Sequence, residues 1–351
     1  MKVRVGVVGG SGYMGGEVLR VLVGLPQVEL AWATSRTPGP VERVHPNLYG
    51  SGLGFVRLDD ASAADFVFLT LPAEISIPVA ARFLDGGARV IALGSAFRLK
   101  DRALWERVYG LKHGAWQLAE EAVCGVSELH RDEICGARLV ANPGCFSSAA
   151  ILGLAPLLRT GRIDPGHLVV DGLSGTAGAG ADFSRAIHHP EIGENVVFYN
   201  VVGHRHTFEM EQELSRVAGQ PVRVYFTPCY VPIVRGIAAV CRGFFTKRVG
   251  RADLLAIYRQ FYEDHPFVEV YDQPKESGAS WQYLPYPWVR SVAGTNYCFI
   301  GLDVDEERGS VVVISVLDSI GKGGAQAGVE NLNLMAGFER TLGLADRGLH
   351  P

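Results

Sequence analysis

The sequence lacks three features that would each assign it to a special class of protein. It has six cysteines in 351 residues but no Cys-x-x-Cys pair, so we expect reduced thiols rather than a disulfide framework. It has no strongly basic stretch and a formal net charge of −4, which argues against nucleic acid as the main partner. No apolar run is long enough to span a bilayer, and the segment after Met1 lacks a signal-peptide layout. We therefore expect a cytoplasmic protein with neither a nucleic-acid nor a membrane partner.

The pattern of strands and helices changes once along the chain, which is long enough for about two domains. Up to about residue 145, Val-rich strand candidates such as residues 2–8 and 28–34 alternate with helical patterns. This alternation predicts an α/β domain with a Rossmann-type parallel sheet. After about residue 160, long β-type runs follow one another with few helical patterns between them. They predict a second, α+β domain built on a largely antiparallel sheet.

A glycine-rich turn follows the first strand candidate, with glycines at positions 9, 12 and 15. This spacing is related to the dinucleotide fingerprint, in which the backbone approaches a pyrophosphate at a helix N-terminus. A glycine pattern alone is weak, but this one follows a strand and opens a helix, as the fingerprint requires. It favours nucleotide binding over a plain tight turn. The predicted cofactor-binding residues of the turn are Gly9, Ser11, Gly12, Tyr13, Met14 and Gly15.

The next strand candidate ends without the acidic residue that usually binds the ribose hydroxyls of NAD. The chain reads Thr34-Ser35-Arg36-Thr37 at that point, and a guanidinium with neighbouring hydroxyls suits a 2′-phosphate. Ser35 and Arg36 therefore predict NADP(H) rather than NAD as the cofactor. The alternative is that Arg36 is only a solvated loop charge.

A single cysteine, Cys145, lies where the apolar run 139–141 ends in Asn-Pro-Gly and a long apolar helix pattern begins. Free backbone N–H groups and the positive end of the helix dipole both favour a thiolate at such a position. A thiolate is a usable nucleophile near neutral pH. The alternative is that the cysteine only packs, since free cysteine is among the most buried residue types.

Two clusters in the second domain carry candidate substrate-binding and proton-transfer groups. Ser174 and Gly175 lie in a Gly/Ser loop whose N–H groups suit a phosphate or a carboxylate; an ordinary mobile loop is the alternative. His204, Arg205 and His206 lie where a helix is predicted to start, and they favour a general acid/base beside a cationic substrate clamp. We predict no metal site, because no further ligand set accompanies the two histidines.

A nicotinamide cofactor, a helix-terminal thiol and a histidine together predict the interconversion of an acyl group and an aldehyde. The thiolate attacks an activated acyl group to give a thioester, and hydride transfer gives a thiohemiacetal that collapses to the aldehyde. The histidine supplies and removes the protons.

Several short motifs, spread over nearly the whole chain, occur together in one known family. After the glycine-rich turn they are Asn142-Pro143-Gly144-Cys145-Phe146, Ser174-Gly175 with Gly178-Ala179-Gly180, Gly203-His204-Arg205-His206, Val234-Arg235-Gly236-Ile237, Gly294-Thr295-Asn296-Tyr297, and Lys322-Gly323 before Asn331-Leu332-Asn333-Leu334-Met335. With these motifs the sequence resembles N-acetyl-γ-glutamyl-phosphate reductases and their relatives in the aminoadipate route to lysine.

The resemblance implies roles for particular residues. Cys145 would be the nucleophile and His206 the acid/base, with His204 and Arg205 beside the substrate. Further substrate-binding residues would be Asn142, Ser174, Gly175 and Arg235, and Asn296 would bind the cofactor. The implied reaction is the NADPH-dependent reduction of N-acetyl-γ-glutamyl phosphate to N-acetylglutamate 5-semialdehyde, in arginine biosynthesis.

The resemblance also implies how the chain is divided and assembled. The C-terminal helix would return to the nucleotide domain, so that residues 1–145 with about 325–351 form the NADP-binding domain. Residues 146–324 would form the domain for catalysis, substrate binding and oligomerisation. A homo-oligomer, dimer or tetramer, is expected.

Three alternatives stay open at the level of sequence. One is the same reaction on an aminoadipyl or glutamyl phosphate carried by a small acidic amino-group carrier protein; His45-Pro46-Asn47-Leu48 and the terminal Gly348-Leu349-His350-Pro351 resemble that branch. Another is an aspartate-semialdehyde dehydrogenase. The third is a non-catalytic NADP-binding regulatory protein, because two aspartates that the family usually has are Ala92 and Ala96 here, and Cys229 replaces a usual histidine.

Overall fold

The computed structural model describes residues 2–272 and 286–348, and the chain folds into two compact units. The first unit comprises Met1–Pro143 and Gly324–Asp346, and the second comprises Gly144–Gly323 and Arg347–Pro351. The predicted division differs from this one in two places. The boundary lies two residues before residue 145, so Cys145 belongs to the second unit, and so does the chain from Arg347, which was predicted in the first. Residues 349–351 of the terminal motif lie outside the described residues. The functional roles assigned to the two predicted domains stay predictions.

An eight-stranded sheet forms the centre of the first unit. Its strands are β1 (Val3–Val8), β2 (Val28–Thr34), β3 (Gly39–Pro40), β4 (Gly54–Val56), β5 (Phe66–Leu69), β6 (Arg89–Ala92), β7 (Val123–Cys124) and β8 (Leu139–Ala141). They lie in the order β3-β4-β2-β1-β5-β6-β8-β7, and the neighbours are parallel except for β3 and β4. The predicted Rossmann-type parallel sheet is confirmed.

Five helices of the first unit precede β8 in the chain. They are α1 (Tyr13–Leu22), α2 (Ala73–Asp85), α3 (Arg102–Tyr109), α4 (Trp116–Glu121) and α5 (Ser127–Gly136). Helix α1 begins directly after the glycine-rich turn. Its apolar residues Val18, Leu19 and Leu22 recur at helical spacing, and all three are buried. Burying one such side chain contributes about 1.5–3 kcal/mol, so this face fixes the helix against the sheet.

A seven-stranded sheet forms the centre of the second unit. Its strands are β9 (Leu168–Ser174), β10 (Val197–Phe198), β11 (Val224–Tyr230), β12 (Ile237–Phe244), β13 (Val268–Tyr271), β14 (Cys298–Asp305) and β15 (Ser310–Leu317). They lie in the order β10-β11-β9-β12-β15-β14-β13. Only β11 with β9 and β13 with β14 are parallel, among the strands that the structure describes. The predicted largely antiparallel sheet is confirmed.

Side chains alternate strictly between the two faces of this second sheet. On β12, Ile237, Ala239 and Cys241 are completely buried, whereas Ala238 and Val240 are half-buried. The buried face packs against helix α6 (Cys145–Arg159), which contacts β12 and β15. The other helices of this unit are α7 (His189–Ile192), α8 (Arg205–Ala218) and α9 (Arg251–Phe261). The opposite face carries apolar side chains with no helix over them in the described part of the second unit.

Helix α6 is buried along its length, from Phe146 to Leu158, although it contains Pro156. Proline has no N–H, so the carbonyl four residues earlier, that of Leu152, loses its helical donor. The Tyr262 hydroxyl donates a hydrogen bond to that carbonyl, and the Tyr258 hydroxyl donates to the carbonyl of Gly153. Tyr258 of helix α9 and Tyr262, the residue after that helix, therefore supply hydrogen-bond donors to the backbone carbonyls close to the proline.

The last helix, α10 (Gln326–Ala336), belongs to the first unit and packs against α1 and α5. A π-helical turn, Gly321–Ala325, leads into it. No helix within the described ranges combines the length and apolar character that a membrane span needs.

Candidate active site

The glycine-rich turn of the first unit is shaped by contacts that leave no room for side chains. Gly9 has φ +82°, a conformation that favours glycine. A Cβ atom on Gly15 would lie 2.4 Å from the Gly9 carbonyl oxygen, so the helix can approach the turn this closely only without a side chain there. A Cβ on Gly12 would meet its nearest neighbour at an ordinary 3.7 Å. Gly9 and Gly15 are therefore required by the fold of the turn, whereas Gly12 is not.

Backbone N–H groups at the start of α1 are available to a ligand. In the described chain no acceptor binds the N–H groups of Ser11, Tyr13 or Met14, and these residues are half-buried or exposed. Two side chains hold the backbone of the turn. The Thr34 hydroxyl accepts from the Gly9 N–H at 3.1 Å, and His45 Nε2 lies 2.8 Å from the Gly10 carbonyl oxygen. Such a cradle of N–H groups at a helix N-terminus fits the pyrophosphate of a dinucleotide.

Ser35 and Arg36 lie directly after β2, at the strand end where the sequence predicts the adenosine ribose. Arg36 is exposed, and within the described residues it forms no ion pair. The Ser35 hydroxyl accepts from the N–H of Thr37 at 3.2 Å. A cation without a protein partner at this position fits a 2′-phosphate.

The second unit places Cys145 at the first residue of α6, with Gly144 as the residue that caps the helix start. The cysteine is partly exposed, whereas the rest of the helix is buried. This confirms the predicted position of the thiol at a helix N-terminus. Of the other cysteines, Cys229 and Cys241 are buried, and burial raises the pKa of both thiols, so they are poor nucleophiles.

Helix α8 brings two histidines to this point in different roles. His204 caps the helix, and its Nδ1 accepts from the His206 N–H at 3.1 Å. Burial, together with the Arg205 charge, lowers the pKa of His204 to about 4, so this ring is neutral at pH 7. The His206 ring packs on Gly144: a Cβ on that glycine would lie 2.0 Å from His206 Nε2. His206 therefore lies beside the residue that precedes Cys145, and its role as the acid/base stays a prediction.

Glu209 is a buried acidic residue of this centre that the sequence analysis missed. Its Oε2 accepts from the Gly144 N–H at 2.7 Å and from the Ser147 hydroxyl at 2.9 Å. Glu209 lies three residues after His206, hence on the same face of α8. That spacing is its one signal in the sequence, and it does not distinguish a buried acid from a surface one.

A pair of tyrosines, also missed, completes the centre. Tyr199 and Tyr230 stack with their ring centroids 4.4 Å apart, and Tyr199 also packs on His204. Burial is the main cause that raises the pKa of both hydroxyls, and the charge that Cys145 carries as a thiolate raises it further. Both hydroxyls therefore stay protonated at neutral pH, and they hydrogen-bond to each other.

The predicted substrate residues Ser174, Gly175 and Arg235 come together at the ends of β9 and β12. The Gly175 N–H donates to the Gly236 carbonyl at 2.9 Å, while the Ser174 hydroxyl donates to the Gly175 carbonyl at 2.8 Å. Arg235 Nε donates to Asp318 Oδ2 at 2.7 Å, and 27% of the Arg235 side chain is exposed. The completely buried Asp318 thus holds the partly exposed Arg235 beside the ends of these strands.

Two predicted site residues, Asn142 and Asn296, are buried within their own units. Asn142, in the first unit, donates from Nδ2 to the Gly324 carbonyl and accepts at Oδ1 from Asn331, which links the end of β8 to α10. Asn296, in the second unit, is completely buried. Their assignment as substrate-binding and cofactor-binding residues stays a prediction. Arg205 is exposed at the start of α8.

The residues that depart from the usual family pattern, Ala92, Ala96 and Cys229, are all buried, and so is Ser319, which replaces a common asparagine. Ala92 and Ala96 are buried in the first unit, and the Ala96 carbonyl lies 2.9 Å from His113 Nε2. The Ser319 hydroxyl accepts from the Gly236 N–H at 3.4 Å.

Comparison with known families matches both parts of the chain. Residues 4–137 match the family described as "Semialdehyde dehydrogenase, NAD binding domain", and residues 145–319 match "Semialdehyde dehydrogenase, dimerisation domain". The first match confirms the predicted nicotinamide cofactor.

Curated relatives match end to end. A protein of Desulforudis audaxviator named N-acetyl-gamma-glutamyl-phosphate reductase is 41% identical over 99% of this chain and 100% of its own length. A protein of the same name from Halorhodospira halophila is 42% identical over 97% and 98%.

Solved structures of aspartate semialdehyde dehydrogenases share the fold. The Vibrio cholerae enzyme in complex with ASA has a TM-score of 0.70 at 16% identity, over 96% of this chain and 98% of that one. The Candida albicans enzyme with NADP has a TM-score of 0.64 at 14% identity, over 96% and 99%. Identity this low supports a common fold alone.

Proposed function

The chain belongs to the N-acetyl-γ-glutamyl-phosphate reductase family, and from that membership we propose that it reduces N-acetyl-γ-glutamyl phosphate to N-acetylglutamate 5-semialdehyde with NADPH, in arginine biosynthesis. The observation that carries the proposal is the thiol of Cys145 at the start of a buried helix, with the His206 ring packed on the preceding glycine. A thiol so placed acts on an activated acyl group.

The first half of the reaction is an acyl transfer to sulfur. His206 takes the proton from Cys145, and the thiolate attacks the carbonyl carbon of the acyl phosphate. The tetrahedral adduct carries a negative oxygen, and protonated donors such as Tyr199 and Tyr230 suit it. The bond from carbon to the phosphate oxygen then breaks, phosphate leaves, and the thioester on Cys145 remains. Arg235, held by Asp318, supplies positive charge toward the anionic substrate.

The second half reduces the thioester. NADPH, when bound to the turn at Gly9–Gly15 and to Ser35 and Arg36, supplies a hydride. The thioester carbonyl becomes a thiohemiacetal, and His206 moves the proton that lets the C–S bond break. The aldehyde leaves, and Cys145 returns to the thiol form.

The reverse reaction tests the proposal. Supplied with NADP⁺, phosphate and N-acetylglutamate 5-semialdehyde, the protein is expected to form NADPH at a rate that depends on phosphate. A flat absorbance trace would overturn the arginine-pathway substrate. The carrier-linked substrate predicted as an alternative would then be tested, and inactivity on every acyl phosphate would leave the regulatory alternative.

We also propose that the protein assembles as a homo-oligomer through the open face of the second sheet. Leu173, Ala238, Val240 and Ile314 are cross-strand neighbours on that face and are only half-buried. An apolar sheet face of this kind is typical of a surface that another copy covers. Light scattering should give a mass of two or four chains, and Ile314→Lys should lower it; an unchanged mass would contradict this interface.

A further inference from the structure

We propose that Glu209 is a positioning residue for the thiol and imidazole pair: its carboxylate fixes the helix that carries His206 to the start of the helix that carries Cys145, and it holds a negative charge beside both groups. The inference rests on the proposed function for its chemistry, but it concerns a residue that no motif singled out.

The contacts of Glu209 are unusually specific for an acidic side chain. Only 2% of the residue is exposed. Its Oε2 receives two hydrogen bonds, from the Gly144 N–H at 2.7 Å and from the Ser147 hydroxyl at 2.9 Å. Gly144 and Ser147 flank Cys145 on either side in the first turn of α6. The carboxylate therefore fixes the backbone around the nucleophile.

The environment of Glu209 favours its ionised form. Two donors and the positive end of α6 stabilise a carboxylate, which would otherwise be costly to bury. Its charge already acts on the neighbouring ring of His204, where it opposes the larger effects of burial and of Arg205 that lower the pKa of that histidine.

A charge at this position acts on the two reacting groups through their protonation. A negative carboxylate stabilises the imidazolium that His206 becomes when it takes the thiol proton, and it opposes the thiolate. Glu209 has no exposed path to the substrate, so it acts through His206 and Cys145. His204 feels the Glu209 charge directly, its ring packs on that of His206, and Tyr199 packs on His204 from the strand side. Cys145 lies between Gly144 and Ser147, which both donate to the carboxylate.

The predicted pH dependence follows from the sign of the charge. The reactive form pairs a thiolate with an imidazolium, so reactivity rises as the thiol loses its proton and falls as the imidazolium loses its own. Removing a nearby negative charge makes both protons easier to lose. Glu209→Gln should therefore move both limbs of the pH profile to lower pH, by about one unit.

Alkylation of Cys145 by iodoacetamide, followed by peptide mass mapping across pH, measures the rising limb without substrate, because it requires only the thiolate. The falling limb is measured from the pH profile of kcat/KM. The matched control is Glu211→Gln: Glu211 lies on the same helix and accepts from the Val224 N–H at 3.0 Å, away from the thiol. The control should keep the wild-type profile. If Glu209→Gln folds with lower activity but unshifted limbs, the residue is only structural and the proposal is overturned.

A second variant covers the case in which Glu209→Gln does not fold. Ser147→Ala removes one donor and leaves the carboxylate charge less compensated, so both limbs should move to higher pH by a few tenths of a unit; no movement would contradict the proposal. Failure of turnover with N-acetyl-γ-glutamyl phosphate would overturn the proposed function alone, because the alkylation profile needs no substrate.

Discussion

Two helices of this protein begin with similar backbone geometry, but their N-terminal N–H groups have different surroundings. Helix α1 starts after Gly12 and helix α6 after Gly144, both in extended backbone and neither with a capping side chain of its own. In the first unit the N–H groups at Ser11, Tyr13 and Met14 have no acceptor in the described chain. In the second unit the Glu209 carboxylate binds the Gly144 N–H, and the His206 ring covers that glycine. One helix start is left for a ligand's charge, and the other is filled by the protein's own side chains.

The largest effect should come from the nucleophile of the filled helix start. Cys145→Ser is expected to lower reduction by more than about 10³-fold, because a hydroxyl lacks the thiolate's nucleophilicity. Binding of NADPH, measured by fluorescence titration, should stay as in the wild type. Appreciable turnover in the variant would contradict the thioester mechanism.

A pair of histidine variants should separate capping from proton transfer. His206→Asn should lower kcat by about 10²–10⁴-fold, the usual value of a general acid/base. His204→Asn keeps an acceptor for the His206 N–H, so kcat should fall by no more than a few-fold. Because the pKa of His204 is about 4, its replacement should leave the kcat/KM profile between pH 6 and 9 unshifted. The reverse ranking in steady-state assays would exchange the two roles.

Two glycine variants test the start of helix α1. Gly15→Ala places a methyl group 2.4 Å from the Gly9 oxygen and should lower the free energy of unfolding by about 1–3 kcal/mol. Gly12→Ala meets only a contact at 3.7 Å and should change stability by less than about 0.5 kcal/mol. Its KM for NADPH should rise if the pyrophosphate approaches there. Denaturant unfolding and KM for NADPH together decide whether each glycine serves the fold or the ligand.

A further effect, on activity alone, should concern the choice of cofactor. Arg36→Gln removes the exposed cation after β2 and should lower kcat/KM for NADPH about tenfold, since one charge-assisted contact contributes about 1.5–3 kcal/mol. The value for NADH should stay unchanged, because that cofactor lacks the 2′-phosphate. Equal losses for both cofactors would show that Arg36 does not select between them.

Sequence alone was sufficient where the cause is local. The strand over Val28–Thr34 follows from a run of apolar and β-branched residues, and Cys145 could be placed at a helix start from the Asn-Pro-Gly before it. Strand β7 was missed because a two-residue strand has no periodicity.

Residues brought together by tertiary contacts could not be found in this way. Glu209 has the spacing of a surface acid on an amphipathic helix, and only the packing of α8 on α6 buries it. Tyr199 and Tyr230 are 31 positions apart, and they stack because β10 pairs with β11. The different roles of His204 and His206 likewise depend on the helix cap that His204 forms and on its burial. Neither can be read from the sequence.

The proline in helix α6 affects how firmly the backbone that carries Cys145 is held. With Tyr258 and Tyr262 hydrogen-bonded to the carbonyls of Gly153 and Leu152, close to Pro156, the helix is joined at its middle to α9 and the residue after it, and at its start to α8 through Glu209. Its amide hydrogens should exchange with deuterium only when the second unit unfolds as a whole, while those of the exposed 178–182 segment exchange quickly. Slow exchange along this helix would show that the backbone carrying the sulfur is already ordered, so that little backbone conformational entropy is lost when the sulfur forms its bond to the substrate.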